Sequence, residues 1–269
     1  MKKVLTIAGS DCSGGAGIQA DIKTITVHKM YAMSVITALT AQNTTGVYGI
    51  READAEFVGD QMDCIFTDIR PDAVKIGIVP NEKIIRVIAE KLRRYQAEDV
   101  VLDPVMISTS GSRLMSEDAA EALKEELFPL AAVVTPNLME AAVLCGFSVS
   151  VRQEMEGAAE KIAKYGSGAV LLKGGHLAEG ADDLLYEKGK YTWFSSKRIE
   201  NPNTHGTGCT LSSAIACSLA AGYSLERGIR NAKKYLTGAL QDGLDLGHGR
   251  GPLNHMYRLP PFANGYPVR

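Results

Sequence analysis

Apolar residues along the chain follow two alternating periods. Short runs rich in branched residues occur at VLTIAG (4–9), SVITALTA (34–41), AVKIGI (73–78), DVVLDPVM (99–106), AVVTP (132–136) and AVLLKGG (169–175). Near-continuous apolar runs of this length predict strands covered on both faces. Between them the spacing lengthens. In NEKIIRVIAEKLRRYQ, Ile84, Ile85, Val87, Ile88, Leu92 and Tyr95 share one face at helical intervals, and Asn81 suits the N-cap. SLERGIRNAKKYLTGALQDG repeats the logic through Leu225, Ile229, Ala232 and Leu236, with Ser224 as cap and a stop near Gly243. The alternation predicts an α/β fold with a mostly parallel central sheet and helices on both faces. One segment departs from it. DDLLYEKGKYTWFSSKRI carries a turn signal at Lys188-Gly189-Lys190 between two β-prone runs, which predicts an antiparallel hairpin. No linker, repeat or low-complexity stretch appears, so residues 1–269 read as one domain.

Composition narrows the class. Apolar residues make up 45% of the chain, enough for a sizeable core. A net charge of −2 gives no overall pull toward nucleic acid or membrane. No run approaches the roughly 18 apolar residues of a membrane helix, and VLTIAG is too short to be the core of a signal peptide. Five cysteines, an odd number without a CxxC pair, argue against a disulfide framework or a zinc knuckle. A reducing cytoplasm is the expected compartment.

Candidate chemistry gathers where strands end. In AGSDCSGGAGIQAD a strand ends at Gly9, glycines follow at 14, 15 and 17, and a helix begins near Ala16. Two readings are open: a tight strand-to-helix turn, or a backbone approach to a small ligand with Asp21 binding it from one turn inside the helix. Gln42 closes the strand in TALTAQNTTG, and its carboxamide offers a donor and an acceptor. Those groups match an aminopyrimidine edge, although a strand-end glutamine also serves as a loop cap. Asp103, Asn137, Glu140 and Lys173 end or follow further strands. Acidic groups there can hold Mg²⁺ through its waters while lysine neutralises phosphate oxygens. Asn137 and Glu140 equally fit a capping box.

NTHGTGCTLSS (203–213) is a glycine loop opening into a helix. Unpaired amides of Gly206, Thr207, Gly208 and Cys209 at a helix N-terminus would form an anion hole for a transferring phosphoryl group. Cys209 in that field is expected to have a lowered pKa and thiolate character, suiting it to accept an alcohol proton. The alternative is a small residue packed at a helix start. His205 either orients this loop or is exposed. His248 and His255 in GHGRGPLNH lack a third ligand, and the segment reads as a glycine-rich surface loop. Cys12, Cys64, Cys145 and Cys217 read as small packed or turn residues.

In this order the segments LTIAGSDCSGGAGIQADIKT, SVITALTAQNT, AVKIGI, VVLDPVM, VTPNLMEA, VLLKGGH, NTHGTGCTLSSAIA and GHGRGP resemble the bacterial hydroxymethylpyrimidine and phosphomethylpyrimidine kinases of the ribokinase-like superfamily. The resemblance runs from residue 4 to about 252. It implies a three-layer fold without a separate lid domain, a homodimer, and two successive ATP- and Mg²⁺-dependent phosphorylations. The acceptors are 4-amino-5-hydroxymethyl-2-methylpyrimidine and then its monophosphate. It assigns substrate contacts to Gly9, Asp21, Gln42 and Val105, and the phosphate side to Asp103, Asn137, Glu140, Lys173 and Thr207. Mg²⁺ falls to Asp103 and Glu140, and catalysis to Lys173, Gly206, Gly208 and Cys209. Most sugar kinases of the superfamily carry Asp as catalytic base where this chain has Cys209. Ile78, Thr40 and Thr109 depart from the common pattern; the first two reshape the apolar wall, and Thr109 stands where a lysine is usual.

Three other readings compete. A pyridoxal kinase shares the fold and a similar cysteine loop, with Gln42 as the discriminating residue. A non-catalytic sensor would keep the pocket and lose Lys173, Glu140 and HGTGC, which are present. A nicotinamide enzyme needs a GxGxxG turn and its acidic partner, which are absent.

Overall fold

The computed structural model describes residues 1–106, 115–175, 177 and 180–260. Its strands are β1 (Lys3–Asp11), β2 (Tyr31–Asn43), β3 (Gly46–Glu52), β4 (Ala73–Ile76), β5 (Val100–Leu102), β6 (Val133–Val134), β7 (Ala169–Leu172), β8 (Asp183–Glu187) and β9 (Lys190–Phe194). They form one sheet in the order β3-β2-β1-β4-β5-β6-β7-β8-β9. Neighbours from β2 to β7 run parallel, while β3, β8 and β9 pair antiparallel at the two edges. The parallel strands therefore present their carboxyl ends on one rim, where ligands bind in open α/β sheets.

The helices are α1 (Gly17–Val27), α2 (Ala55–Asp68), α3 (Glu82–Arg94), α4 (Glu117–Ala122), α5 (Leu138–Cys145), α6 (Arg152–Ala163), α7 (Thr207–Ala220) and α8 (Leu225–Gln241). Two buried apolar layers sandwich the sheet. One holds α2 to α6 and the other α1, α7 and α8. Strand alternation feeds both layers: Val100 and Leu102 face the first and Val101 the second.

Local rules account for most elements. Ile84, Ile85, Ile88 and Leu92 are buried on α3, and the Asn81 side chain accepts from the Ile84 amide at 3.0 Å. Lys188 and Gly189 both adopt positive φ (50° and 78°), as a two-residue turn between β8 and β9 requires. Ser224 occupies the N-cap position of α8, but its side chain makes no capping bond. The edge strand β3 went unseen in the sequence. GVYGIRE lacks a clean alternation because all its side chains are at least partly exposed. The Cys64 side chain is exposed on α2, neither packed nor in a turn.

The segment read as a surface loop is instead partly buried. His248 is exposed, whereas Gly251, Leu253 and His255 are buried, and Thr210 Oγ1 lies 3.0 Å from His255 Nε2. Burial holds the His255 pKa down to about 4, so the ring is neutral. The Arg250 amide donates to Thr44 O and the His205 amide to Gly251 O. This stretch braces the β2–β3 turn against the loop that opens α7.

Candidate active site

A cavity of about 450 Å³ opens on the carboxyl rim of the sheet. Gly9, Gln42 and Val105 line it, as do Asp103, Asn137, Glu140 and Lys173. Gly206, Thr207, Gly208 and Cys209 also line it, in a loop that runs from His205, beside Gln42, to Gly208, beside Asp103 and Lys173. Six separate segments of the chain thus converge on one cleft.

Asp21 does not reach the cavity, contrary to the sequence reading. It is fully buried beneath the cleft, where its carboxylate accepts from Thr6 Oγ1 (2.6 Å), Ser213 Oγ (2.7 Å) and Lys75 Nζ (2.9 Å). Gly17 begins α1 at φ +56°, and Asp21 lies on the buried face of that helix, turned onto β1. Lys75 is also fully buried. Burial works against its charge, but Asp21, Cys209 and Asp103 together outweigh it and hold the pKa above the usual lysine value.

The charged end is built from short strands and a helix cap. Lys173 Nζ donates to Asp103 Oδ1 at 2.6 Å and stands 4.0 Å from Glu140 Oε2. Thr135 Oγ1 also donates to Asp103 Oδ1, at 3.1 Å. Asn137 and Glu140 form the capping box in full. The Asn137 side chain accepts from the Glu140 amide, and the Glu140 carboxylate accepts from the Asn137 amide. Capping and chemistry are not alternatives here, because the box is what holds Glu140 against Lys173. Burial, reinforced by the Asp103 charge, pushes the Glu140 pKa up to about 7 despite the nearby Lys173. Lys173 is shifted upward: burial opposes its charge, and Asp103 and then Glu140 favour it.

The α7 start supplies amides, with one revision. Gly206 sits at φ +86°, and a Cβ there would fall 1.9 Å from Gly15 O, so only glycine fits. The amides of Gly208 and Cys209 precede the first helical bond and have no partner among the described residues. The Thr207 amide instead reaches back to Thr204 O at 3.3 Å. A Cβ on Gly208 would meet Asp103 and Lys173 at 3.3 and 3.4 Å, which places its amide directly beside the charged end.

Cys209 is the second revision. Its thiol is not activated. Burial pushes the pKa up to about 11; Lys75 opposes this, while Asp21 and Asp103 add to it. Burial, aided by the carboxylates beneath the helix start, offsets the favourable field expected from the sequence, and the group is a neutral thiol at pH 7.

At the Gln42 end, the main chain is clamped by Cys12. The Cys12 thiol donates to Gln42 O at 3.1 Å and receives the Gln42 amide at 3.4 Å. His205 is buried, with Nε2 2.7 Å from Asp11 Oδ2 and 3.1 Å from the Gln42 carboxamide nitrogen. The Asp11 carboxylate also accepts from the Ser13, Gly15 and Ala16 amides and from Ser13 Oγ, knitting the loop after β1 together. Burial alone would raise the Asp11 pKa, but hydrogen bonds from His205 and Ser13 bring it down to about 2.

Sequence reasoning passed over Asp11, Lys75, Asp183 and Lys233. Asp11 was hidden among glycines that drew the attention. Lys75 had a visible signal, a lone charge inside an apolar strand. Asp183 and Lys233, which pair on the cavity wall, belong to β8 and α8 and only the fold brings them together. Thr109 lies outside the described residues.

A family model described as Phosphomethylpyrimidine kinase matches residues 11–254. The chain is 50% identical over 258 residues to the hydroxymethylpyrimidine/phosphomethylpyrimidine kinase of Rhizobium meliloti, covering 94% of this chain and 97% of that protein. It is 49% identical over 254 residues to the thiamine biosynthesis bifunctional protein ThiED of Geobacter sulfurreducens. That match takes in 94% of this chain, which spans about half (52%) of the longer protein. Among solved structures, the pyridoxal kinase of Bacillus subtilis in complex with ADP superposes with a TM-score of 0.88 at 37% identity, covering 96% of this chain and 98% of that one.

Proposed function

This chain belongs to the phosphomethylpyrimidine kinase family, and from that premise we infer that it transfers phosphate from ATP to 4-amino-5-hydroxymethyl-2-methylpyrimidine. It then phosphorylates the monophosphate to the diphosphate used in thiamine biosynthesis. One observation carries this reading: Gln42 and Lys173 wall a single cleft that the opening of α7 also lines. The whole chain, 1–269, acts as one ribokinase-like catalytic domain, and its free cysteines suit a reducing cytoplasm.

In this reading Gly9, Gln42 and Val105 receive the flat ring, with Gln42 hydrogen-bonding its amino and ring-nitrogen edge. Asp21 supports that end from below instead of touching the ring. Asn137, Lys173 and Thr207 face the triphosphate, and the Gly206, Gly208 and Cys209 amides meet the phosphoryl group in flight. The hydroxymethyl oxygen forms a bond to the γ-phosphorus as the bond to ADP breaks, and its proton passes to an oxygen of the transferred phosphate. Transfer of this kind depends on positioning and charge stabilisation more than on a strong base. A neutral Cys209 thiol fits that economy: it lines the site without taking the alcohol proton in this state.

The donor set fits Mg²⁺. Asp103 and Glu140, two hard carboxylates, flank Lys173 on the cavity wall. That suits a hard ion bound mainly by phosphates and waters, with the two carboxylates in contact through water. When bound, it would neutralise charge on the transferring phosphate.

The protein also assembles as a homodimer in this reading. Leu39, Tyr48 and Ile50 expose apolar surface on the β2–β3 edge, at 55%, 72% and 43%. Sedimentation analysis of wild type against Tyr48→Lys tests this; a monomeric wild type would refute it.

Pyridoxal phosphorylation is the second reading, favoured by the match to the Bacillus subtilis enzyme. ATP consumption measured with the hydroxymethylpyrimidine and with pyridoxal separates the two. Turnover of the pyrimidine is expected to dominate. Turnover of pyridoxal alone would reverse the assignment, and turnover of neither despite tight pyrimidine binding would mark a sensor.

A further inference from the structure

The contacts around His205 contain a constraint that fixes the direction of a hydrogen bond. Its Nε2 lies 2.7 Å from Asp11 Oδ2. Asp11 is ionised, since four other donors already point at its carboxylate. An ionised carboxylate only accepts, so the proton of this bond sits on His205 Nε2. The same Nε2 lies 3.1 Å from one end of the Gln42 carboxamide, and the other end lies 3.3 Å from Thr40 Oγ1.

A ring nitrogen that donates to Asp11 cannot accept from a Gln42 N–H. The amide oxygen therefore belongs at the His205 end and the amide nitrogen at the Thr40 end, an exchange that amide geometry permits. Thr40 is ready for it. Its hydroxyl donates to Ser10 O at 3.0 Å and keeps a lone pair for the Gln42 N–H. Because Cys12 clamps the Gln42 main chain, the orientation of the carboxamide is what is left to set.

We propose that Asp11 and His205 are positioning residues for Gln42: the proton they hold on Nε2 fixes which end of the carboxamide faces which way, and hence which pyrimidine edge the cleft accepts. With that orientation locked, Gln42 offers one N–H and one lone pair to the cleft in a fixed order. A 4-amino group beside an unprotonated ring nitrogen satisfies that order. A 4-oxo group beside a protonated ring nitrogen reverses it and leaves both partners mismatched. The lock also spans the site, because His205 adjoins Gly206 at the opening of α7. This proposal rests on the reading of Gln42 as the pyrimidine contact.

The test compares kcat/KM for the 4-amino substrate with that for its 4-oxo analogue in wild type, His205→Gln, His205→Leu and Gln42→Leu. Wild type is expected to prefer the 4-amino ring by about 10²-fold or more. His205→Gln keeps a donor toward both neighbours and should retain that preference. His205→Leu frees the carboxamide to turn over, and the preference should fall about tenfold, a change that general loosening of the loop would not produce. An unchanged ratio in His205→Leu, with Gln42→Leu impaired on the 4-amino ring, overturns the lock alone. An unimpaired Gln42→Leu overturns both the lock and the reading beneath it. Nitrogen NMR of wild-type protein labelled at its five histidines, with His205→Gln to assign the signal, gives an answer independent of folding in the leucine variant. A protonated Nε2 on His205 is expected, and an unprotonated Nε2 contradicts the proposal.

Discussion

Two cavities of similar volume lie at opposite rims of the sheet, about 450 Å³ above and about 410 Å³ below. Helix α7 runs between them. Its N-terminus, where the Gly208 and Cys209 amides have no partner among the described residues, opens into the upper one, and residues from its C-terminal end (Leu219, Ala220 and the following Gly222) line the lower. Both cavities carry charge, but in different states. Below, Lys2 and Lys3 pair with Asp72 at a solvent-exposed surface. Above, Asp103 with Lys173, and Asp21 with Lys75 beneath the floor, are withdrawn from water. Volume alone does not distinguish the site. Desolvated charge beside unpaired amides does, since only there do electrostatic interactions act at low dielectric on a bound anion.

The comparison can be tested by substitution, beginning with the largest effect. Asp21→Ala strands a buried Lys75, and urea unfolding should report a loss of about 3–5 kcal/mol; a loss below about 1 kcal/mol would mean the pair is not desolvated. Lys173→Ala should lower kcat for both phosphorylations by about 10²–10³-fold, in line with the removal of one transition-state contact. If only one step suffers, Lys173 does not serve a shared phosphate site.

Gln42→Leu should raise the pyrimidine KM by about tenfold to a hundredfold and leave the ATP KM alone. Parallel changes in both constants would show that the two ends are not separable. Cys209→Ala should cost no more than about tenfold in kcat, because the thiol is not the required base. With a folded pKa near 11, above the ordinary 9.0, Cys209 stays protonated as pH rises from 7 to 9. The wild-type rate profile should therefore show no limb from this thiol in that range; a limb near pH 7 that vanishes in Cys209→Ala would contradict the assignment. At the lower rim, Asp72→Ala removes exposed pairs and should cost less than about 1 kcal/mol without altering turnover.

How much of this was legible in the sequence differs between the layers of the argument. Periodicity carried the strand–helix alternation, the α3 face and the β8–β9 hairpin, because those patterns answer to local burial and turn geometry. It missed β3, whose exposed edge position removes the alternation that periodicity detects. Most candidate residues do converge, since each was tied to a strand end and parallel strands share a rim. Orientation was not legible. Asp21 lies one turn inside α1 as expected, yet the helix turns it onto the sheet. The Cys209 thiol was judged from its helix terminus, whereas its protonation depends first on burial and then on Lys75, Asp21 and Asp103, all remote in sequence. Asp11 and His205 stand 194 positions apart, and no spacing rule pairs them.

The most direct test is a mass analysis of the products formed from the 4-amino-5-hydroxymethyl pyrimidine, ATP and Mg²⁺. The expected result is the pyrimidine carrying one phosphate and then two, with both species lost in Lys173→Ala. ATP consumed without a phosphorylated pyrimidine, or products undiminished in that variant, would contradict a single cleft in which ring and triphosphate meet.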